Sequence, residues 1–187
     1  MKSHTVPSTS GHFHAVRFYQ DDQSLCRIVA EFLRDALVAD QPAIVIATPS
    51  HRAEIAQELN ALLPDRSGDL LMLDADETLA TFMVNDKPDA ARFSRSMGNA
   101  IARACGGRTD CIVRAYGEMV DILWKRGNRE GAIRLETLWN VLATSHKFSL
   151  LCGYAICNFY KDAGFEDVCG QHTHVISENG QAAVTGP

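Results

Sequence analysis

Cys169-Gly-Gln-His172-Thr-His174 sets a thiol and two imidazoles close together near the end of the chain. Thiolate and imidazole are ligands that zinc prefers. Cys169, His172 and His174 are therefore candidate metal ligands, and His14 or His12 would complete a set if the first and last strands met. The spacing is not a zinc signature in itself, and the plainer alternative is hydrogen-bonded histidines beside a buried thiol. A second group is Arg114-Ala-Tyr-Gly-Glu118-Met-Val-Asp121, where an apolar strand runs into two carboxylates. Such carboxylates can manage a metal or water, or accept from a ligand; alternatively Glu118 pairs with Arg114 or Arg134, because buried charge is normally paired. The third is Leu135-Glu-Thr-Leu-Trp-Asn140, where Glu136 and Asn140 are four apart and share a helical face. Trp124 and Trp139 are the chain's two tryptophans. They would wall a ligand cavity if they faced one, and otherwise they anchor the core.

Other chemistry is poorly supported. The junction Tyr19-Gln-Asp-Asp-Gln-Ser24 sits where a nucleotide-binding fold carries its phosphate loop, yet it has neither glycine nor lysine. Its aspartates would repel a triphosphate unless Mg²⁺ intervened, and capping of the next helix by Asp21 or Asp22 is the simpler use. No Gly-x-Ser-x-Gly elbow is present. Six cysteines without a C-x-x-C pair or a secretion signal read as reduced rather than as a disulfide framework. Cys26 and Cys152 lie in apolar patterns, where burial would raise a thiol pKa.

The elements that must position these residues alternate in type. Strand-like runs are 15–19, 43–47, 69–73, 111–115 and 148–154, with a possible edge strand at 174–176. Helical periodicity covers a stretch from Asp21 or Asp22 to about 39, then 51–63, 76–84, 89–104, 130–144 and 165–172. This alternation predicts an α/β fold of three layers, a mainly parallel sheet with helices on both faces. Ligands in such folds bind beyond the carboxyl ends of the strands. That points to Tyr19, Arg52, Asp74, Glu118 and Tyr154. Residues 1–11 and 179–187 read as flexible tails around one domain, 12–178.

A net charge of −5 without clustered Lys and Arg argues against direct nucleic-acid binding. No apolar run reaches the roughly 18 residues needed to span a membrane. The N-terminus lacks the apolar core of a signal peptide, so a cytoplasmic protein is expected.

Seven stretches together resemble the MEDS family, a sensory domain named for methanogens, methylotrophs and a dichloromethane-responsive repressor. They are His14–Tyr19, Ile46–Arg52, Leu73–Leu79, Arg114–Trp124, Arg134–Asn140, Phe148–Tyr154 and His172–Val175. The resemblance implies a RecA/KaiC-like core that has lost its phosphate loop, and a sensory role with hydrocarbon derivatives as signals. It draws attention to His14, Phe18, Tyr19, Arg52, Asp74, Gly117, Glu118, Trp124, Glu136, Trp139, Cys152, Tyr154 and His172.

The leading expectation is a non-enzymatic sensory module without a cofactor, taking a small molecule at the carboxyl edge of the sheet. Related domains are often fused to a helix-turn-helix or a kinase-type output. This chain has no room for either, which predicts a partner protein such as a histidine kinase or transcription regulator, or a homodimer through helix 89–104 or an edge strand. The rivals are a nucleotide-binding relative of the RecA-like ATPases, with Glu118 on water or Mg²⁺ and Arg52 on phosphate, and a metal- or redox-responsive switch through Cys169, His172 and His174, with His14.

Overall fold

The structure, a computed structural model, describes residues 13–65, 69–159, 164–178 and 180–185. His12 and the proposed N-terminal tail lie outside the described residues. In chain order the elements are β1 (Phe13–Tyr19), α1 (Asp22–Val38), β2 (Ala43–Ala47), α2 (Pro49–Leu62), β3 (Leu70–Asp74) and α3 (Ala75–Phe82). Then come β4 (Met83–Val84), β5 (Lys87–Pro88), α4 (Ala90–Cys105), β6 (Val113–Gly117), α5 (Met119–Lys125) and α6 (Arg129–Leu142). The last are β7 (Phe148–Ala155), α7 (Gly164–Cys169), β8 (His174–Ile176) and β9 (Ala182–Val184).

Seven strands form one sheet in the order β3-β2-β6-β7-β1-β8-β9. Pairing is parallel throughout except between β8 and β9. Helices α1 and α2 cover one face, with Leu25, Val29, Ile55 and Leu59 packed on Ala15, Val45 and Leu151. Helices α3 to α7 cover the other, with Leu79, Phe93, Leu135 and Val168 against Val16, Ile46 and Leu150. Interior strands with both faces covered must be apolar on both, which is why Ala-Ile-Val-Ile-Ala is buried at every position. The three-layer α/β architecture expected from the sequence is therefore present.

Alternation along the strands assigns the chemistry to faces. On β1, Phe13, Ala15 and Tyr19 join the core under α1 and α2, while Val16 joins the core under α3 to α7. On β7, Cys152 and Tyr154 share that second face. The register sets Val16 opposite Cys152 and His14 opposite Leu150.

Several boundaries differ from expectation for local reasons. Helix α3 begins at Ala75 because Asp74 caps it, its carboxylate accepting from the Asp76 and Glu77 amides. It stops at Phe82 because Asn85 and Asp86 both take positive φ, 49° and 60°, the requirement of a tight hairpin turn between β4 and β5. Strand β6 runs 113–117 rather than 111–115, its ladder being set by β2, where Ala43 to Ile46 face Arg114 to Gly117. The possible edge strand β8 is not an edge: β9, in the segment read as a tail, pairs with it.

The reading of all cysteines as reduced is corrected. Cys105 and Cys111 are joined by a disulfide, with their Cα atoms 5.7 Å apart. The end of α4 and the approach to β6 bring them together, a contact that the two sequence patterns do not encode. The link closes a short loop, so the chain-entropy model gives about 2 kcal/mol of stabilisation. Replacing both cysteines with serine is expected to lower the free energy of unfolding by about that amount and to shift the urea midpoint down accordingly. An unchanged midpoint would show that the bridge contributes nothing.

Candidate functional site

The strand-end residues are drawn into two acid-centred clusters, one on each side of the sheet, and a groove lies beside the second. At the carboxyl edge, Glu118 follows β6 and is 2% exposed. Its Oε1 accepts from the Thr48 amide at 2.5 Å. Its Oε2 accepts from the Tyr116 hydroxyl at 3.0 Å and lies 2.6 Å from His51 Nδ1. His51 Nε2 is 3.5 Å from Asp22 on α1. The expected partners Arg114 and Arg134 are elsewhere: Arg114 donates to Phe32 O and pairs with Asp35, and Arg134 donates to Pro88 O. Their strand and helix positions direct them away from the loop after β6. The hydrogen bond to Glu118 raises the pKa of His51 against the effect of burial. Burial by itself would raise the Glu118 carboxyl, but the His51 and Thr48 hydrogen bonds hold it below the usual value.

Asp121 is the neighbouring carboxylate. It accepts from the Tyr19 hydroxyl at 3.1 Å, the Ala155 amide at 3.0 Å and the Asn158 side chain at 2.9 Å, and it pairs with Lys125 at 2.6 Å. Tyr19 thus ties the end of β1 to the end of β7. Asp74 pairs with Arg52 at 2.9 Å while capping α3. In the turn after β1 the Asp21 carboxylate accepts from the Gln23 and Ser24 amides. The helix amides that a phosphate would need are taken by an acid.

The second cluster lies between β1, β7, α6 and α7. Glu136 is fully buried. Its Oε1 accepts from the Tyr154 hydroxyl at 2.9 Å and lies 3.3 Å from His172 Nε2. Its Oε2 lies 3.1 Å from His14 Nε2 and 3.4 Å from Cys152 Sγ. His14 Nε2 and Cys152 Sγ are themselves 3.4 Å apart. The two imidazole rings are 4.2 Å apart. Asn140, one turn beyond Glu136, lies 2.8 Å from His14 Nδ1 through Oδ1 and donates to Gln171 O through Nδ2. Burial would raise the Glu136 carboxyl, yet His172 and His14 hold it well below the usual range. Burial and then His172 lower His14, while burial and Glu136 push the Cys152 thiol upward.

The four donor groups of His14, Glu136, Cys152 and His172 lie within 4.8 Å of one another. His172 and His14 belong to this set, as the sequence suggested; Cys169 and His174 do not. His174 bonds Thr173 Oγ1 and lies beside Phe13, whose core is on the α1–α2 face. Cys169 borders a surface cleft together with His172. His172 lies in the turn before β8, which starts at His174, so strand periodicity does not hold the two on one face, and Cys169 at the end of α7 borders the surface cleft instead. Cys152, expected to be a plain core hydrophobe, is a member. His51 was missed because nothing in its helix pattern marks it; its place in the first turn after β2, at a strand end, was the available signal.

The two tryptophans part company. Trp139 packs edge-on against Phe93 and Phe148 in the core. Trp124 stacks on Phe159, meets Tyr154 edge-on, and lines a groove of about 740 Å³ with Arg129, Ile133, Arg134 and Leu138. The Arg129 guanidinium lies 5.6 Å over the Trp124 ring. Through Trp124 and Tyr154 the groove adjoins the Glu136 cluster.

The chain is thus a mainly parallel α/β domain with polar clusters at and below the carboxyl edge of its sheet, and Asp21 caps the helix that follows β1. The family comparison is consistent with this class. The chain belongs to the MEDS family, described as the MEthanogen/methylotroph, DcmR Sensory domain, whose model matches residues 13–173. No curated protein matches the chain. Membership of a sensory-domain family supports a sensory or signalling role. Among the described residues no helix is long and apolar enough to cross a membrane.

Proposed function

We propose that this chain is a sensory domain that binds a small, largely apolar molecule and passes the signal to a partner protein. The supporting observation is the groove beside the carboxyl end of β7. Its volume is within the range of small-molecule sites, roughly 300–1,000 Å³. Ile133, Leu138 and the Trp124 ring offer apolar contact, and Arg129 and Arg134 line the groove beside Asp167 and Glu130, the latter already paired with Lys87. That composition suits a short hydrocarbon carrying a carboxylate or another hydrogen-bond acceptor, because guanidinium binds anions through paired N–H groups. The scaffold is read as a RecA/KaiC-like core whose phosphate loop has given way to the turn capped by Asp21. Glu118, Asp121 and Asp74 serve in this reading as braces of the edge, since their oxygens are engaged internally.

A signal requires the ligand to favour one of two conformations. The route to a partner, whether a histidine kinase or a transcription regulator, begins at the exposed side of α6 and α7.

The test is a thermal-shift screen with short carboxylates, alcohols and halogenated methanes, followed by tryptophan fluorescence. A ligand at a hundredfold its dissociation constant should stabilise the native state by about 2.7 kcal/mol. Ile133→Glu puts a charge on the half-buried apolar wall and should abolish the shift while the protein stays folded. A shift that survives Ile133→Glu would place the ligand elsewhere.

A further inference from the structure

The buried cluster around Glu136 turns two imidazole nitrogens and a sulfur onto one carboxylate. His172 Nδ1 lies 2.7 Å from Val168 O. A carbonyl oxygen can only accept, so the Nδ1 carries a proton and Nε2 is the ring atom turned inward. That Nε2 is buried and has no hydrogen-bond partner among the described residues. It faces the Glu136 Oε1 acceptor at 3.3 Å. His14 presents the same ring atom to the carboxylate. Asn140 donates through Nδ2 to Gln171 O, which turns its Oδ1 toward His14 Nδ1 at 2.8 Å. The His14 ring therefore also presents Nε2 to Glu136, at 3.1 Å. Two imidazole nitrogens converge on a carboxylate, with the Cys152 sulfur beside them.

Histidine whose Nδ1–H is held by a carbonyl or amide oxygen while Nε2 faces inward is the arrangement of a metal ligand. The donor atoms all lie within 4.8 Å of one another, close to but wider than an occupied site, so a bound ion would draw them together. Metal bonds of 2.0–2.3 Å in a tetrahedron require ligand atoms about 3.3–3.8 Å apart. Around Oε2 the contacts are 3.1 Å for His14 to Glu136, 3.4 Å for His14 to Cys152 and 3.4 Å for Cys152 to Glu136, while His172 lies 3.3 Å from Oε1. The residues come from β1, α6, β7 and the turn before β8, so a bound ion would tie the centre of the sheet to its helical cover.

We propose that His14, Glu136, Cys152 and His172 form a closed four-coordinate site for a divalent transition metal, zinc by ligand chemistry. Nitrogen, sulfur and carboxylate donors together suit zinc better than the oxygen-seeking magnesium or calcium. Binding replaces the thiol proton of Cys152, which leaves to solvent. Two neutral imidazoles, one thiolate, one carboxylate and the dication then sum to zero charge, which removes the cost of an isolated buried anion. The Tyr154 hydroxyl continues to orient the carboxylate through Oε1. The cleft bordered by Glu166, Cys169, Gly170 and His172 supplies an approach from the surface.

The test begins with the full-length chain, grown with zinc and dialysed, its metal counted by mass spectrometry. One zinc per chain is expected. Cobalt reconstitution of the unmodified protein should give a sulfur-to-cobalt band in the near ultraviolet and intense visible bands of four-coordination. Cys152→Ser should remove the ultraviolet band, and Cys169→Ser should keep it. His172→Ala should weaken retention by more than about 100-fold, beyond the loss seen when only an outer partner is removed. A folded wild-type protein that holds no stoichiometric metal and gives no sulfur-to-cobalt band would overturn the site and leave a hydrogen-bonded cluster. Loss of the band in Cys169→Ser with its retention in Cys152→Ser would overturn the ligand set.

Discussion

Glu136→Ala is expected to destabilise the protein by about 3–5 kcal/mol, the cost of breaking a buried charged cluster by removing its centre. The carboxylate touches His14, Cys152, Tyr154 and His172, and none of these side chains can turn to water. Removing it leaves the Tyr154 hydroxyl without an acceptor and opens a void beside the sheet. Urea unfolding followed by circular dichroism measures the effect. A loss below about 1 kcal/mol would mean that the cluster does not hold this part of the fold together, since ordinary surface changes fall within roughly half that.

The second large effect is a pH window set by Glu118 and His51. Glu118 has a folded pKa below its unfolded value, so its contribution is present above the unfolded carboxylate pKa and is lost as pH falls through the folded one. His51 has a folded pKa above its unfolded value, so its contribution is full below about pH 6.5 and is lost as pH rises through the folded value. The pair is therefore most stabilising from about pH 4.5 to 6.5, using the ordinary carboxylate and imidazole values as bounds. Glu118→Ala should cost about 3–5 kcal/mol within that window, because Thr48, His51 and Tyr116 lose their shared acceptor. His51→Gln should flatten the alkaline limb of the stability profile. Denaturant midpoints of the wild type and His51→Gln between pH 5 and 9 measure it, and parallel profiles for the two proteins would rule out the pairing.

These expectations bear on how a sensory domain of this kind is held together. The carboxyl edge of its sheet is braced by acids that face protein donors, and a groove lined by Trp124, Ile133 and Leu138 lies next to the buried cluster. Trp124 and Tyr154 connect the two, their rings 5.9 Å apart. A ligand that displaced Trp124 would press on Tyr154 and so on Glu136. Comparing ligand affinity in metal-loaded and metal-free protein would reveal any coupling between the sites, and by linkage the ligand would alter metal affinity by the same factor.

Much of this was legible in the order of residues, for a physical reason. Ala43–Ala47 is apolar at every position, and an interior strand with both faces covered tolerates nothing else. The stripe from Leu25 to Leu37 declares α1, and the four-residue spacing of Glu136 and Asn140 places both on one side of α6. These are local periodicities, which a chain carries whatever it folds against. The membership of the buried cluster is not local. His14, Glu136, Cys152 and His172 meet because β1 pairs with β7 in one particular register, and because α6 and the turn after α7 cross over that pair. A shift of one residue in that register would turn His14 to the opposite face. For the same reason the run Cys169-x-x-His172-x-His174, which looks like a ligand set on paper, is divided by the end of a helix and the start of a strand, while Cys105 finds Cys111 across a turn. Side-chain type and spacing determined which groups were available for chemistry; strand register and crossover decided which of them meet.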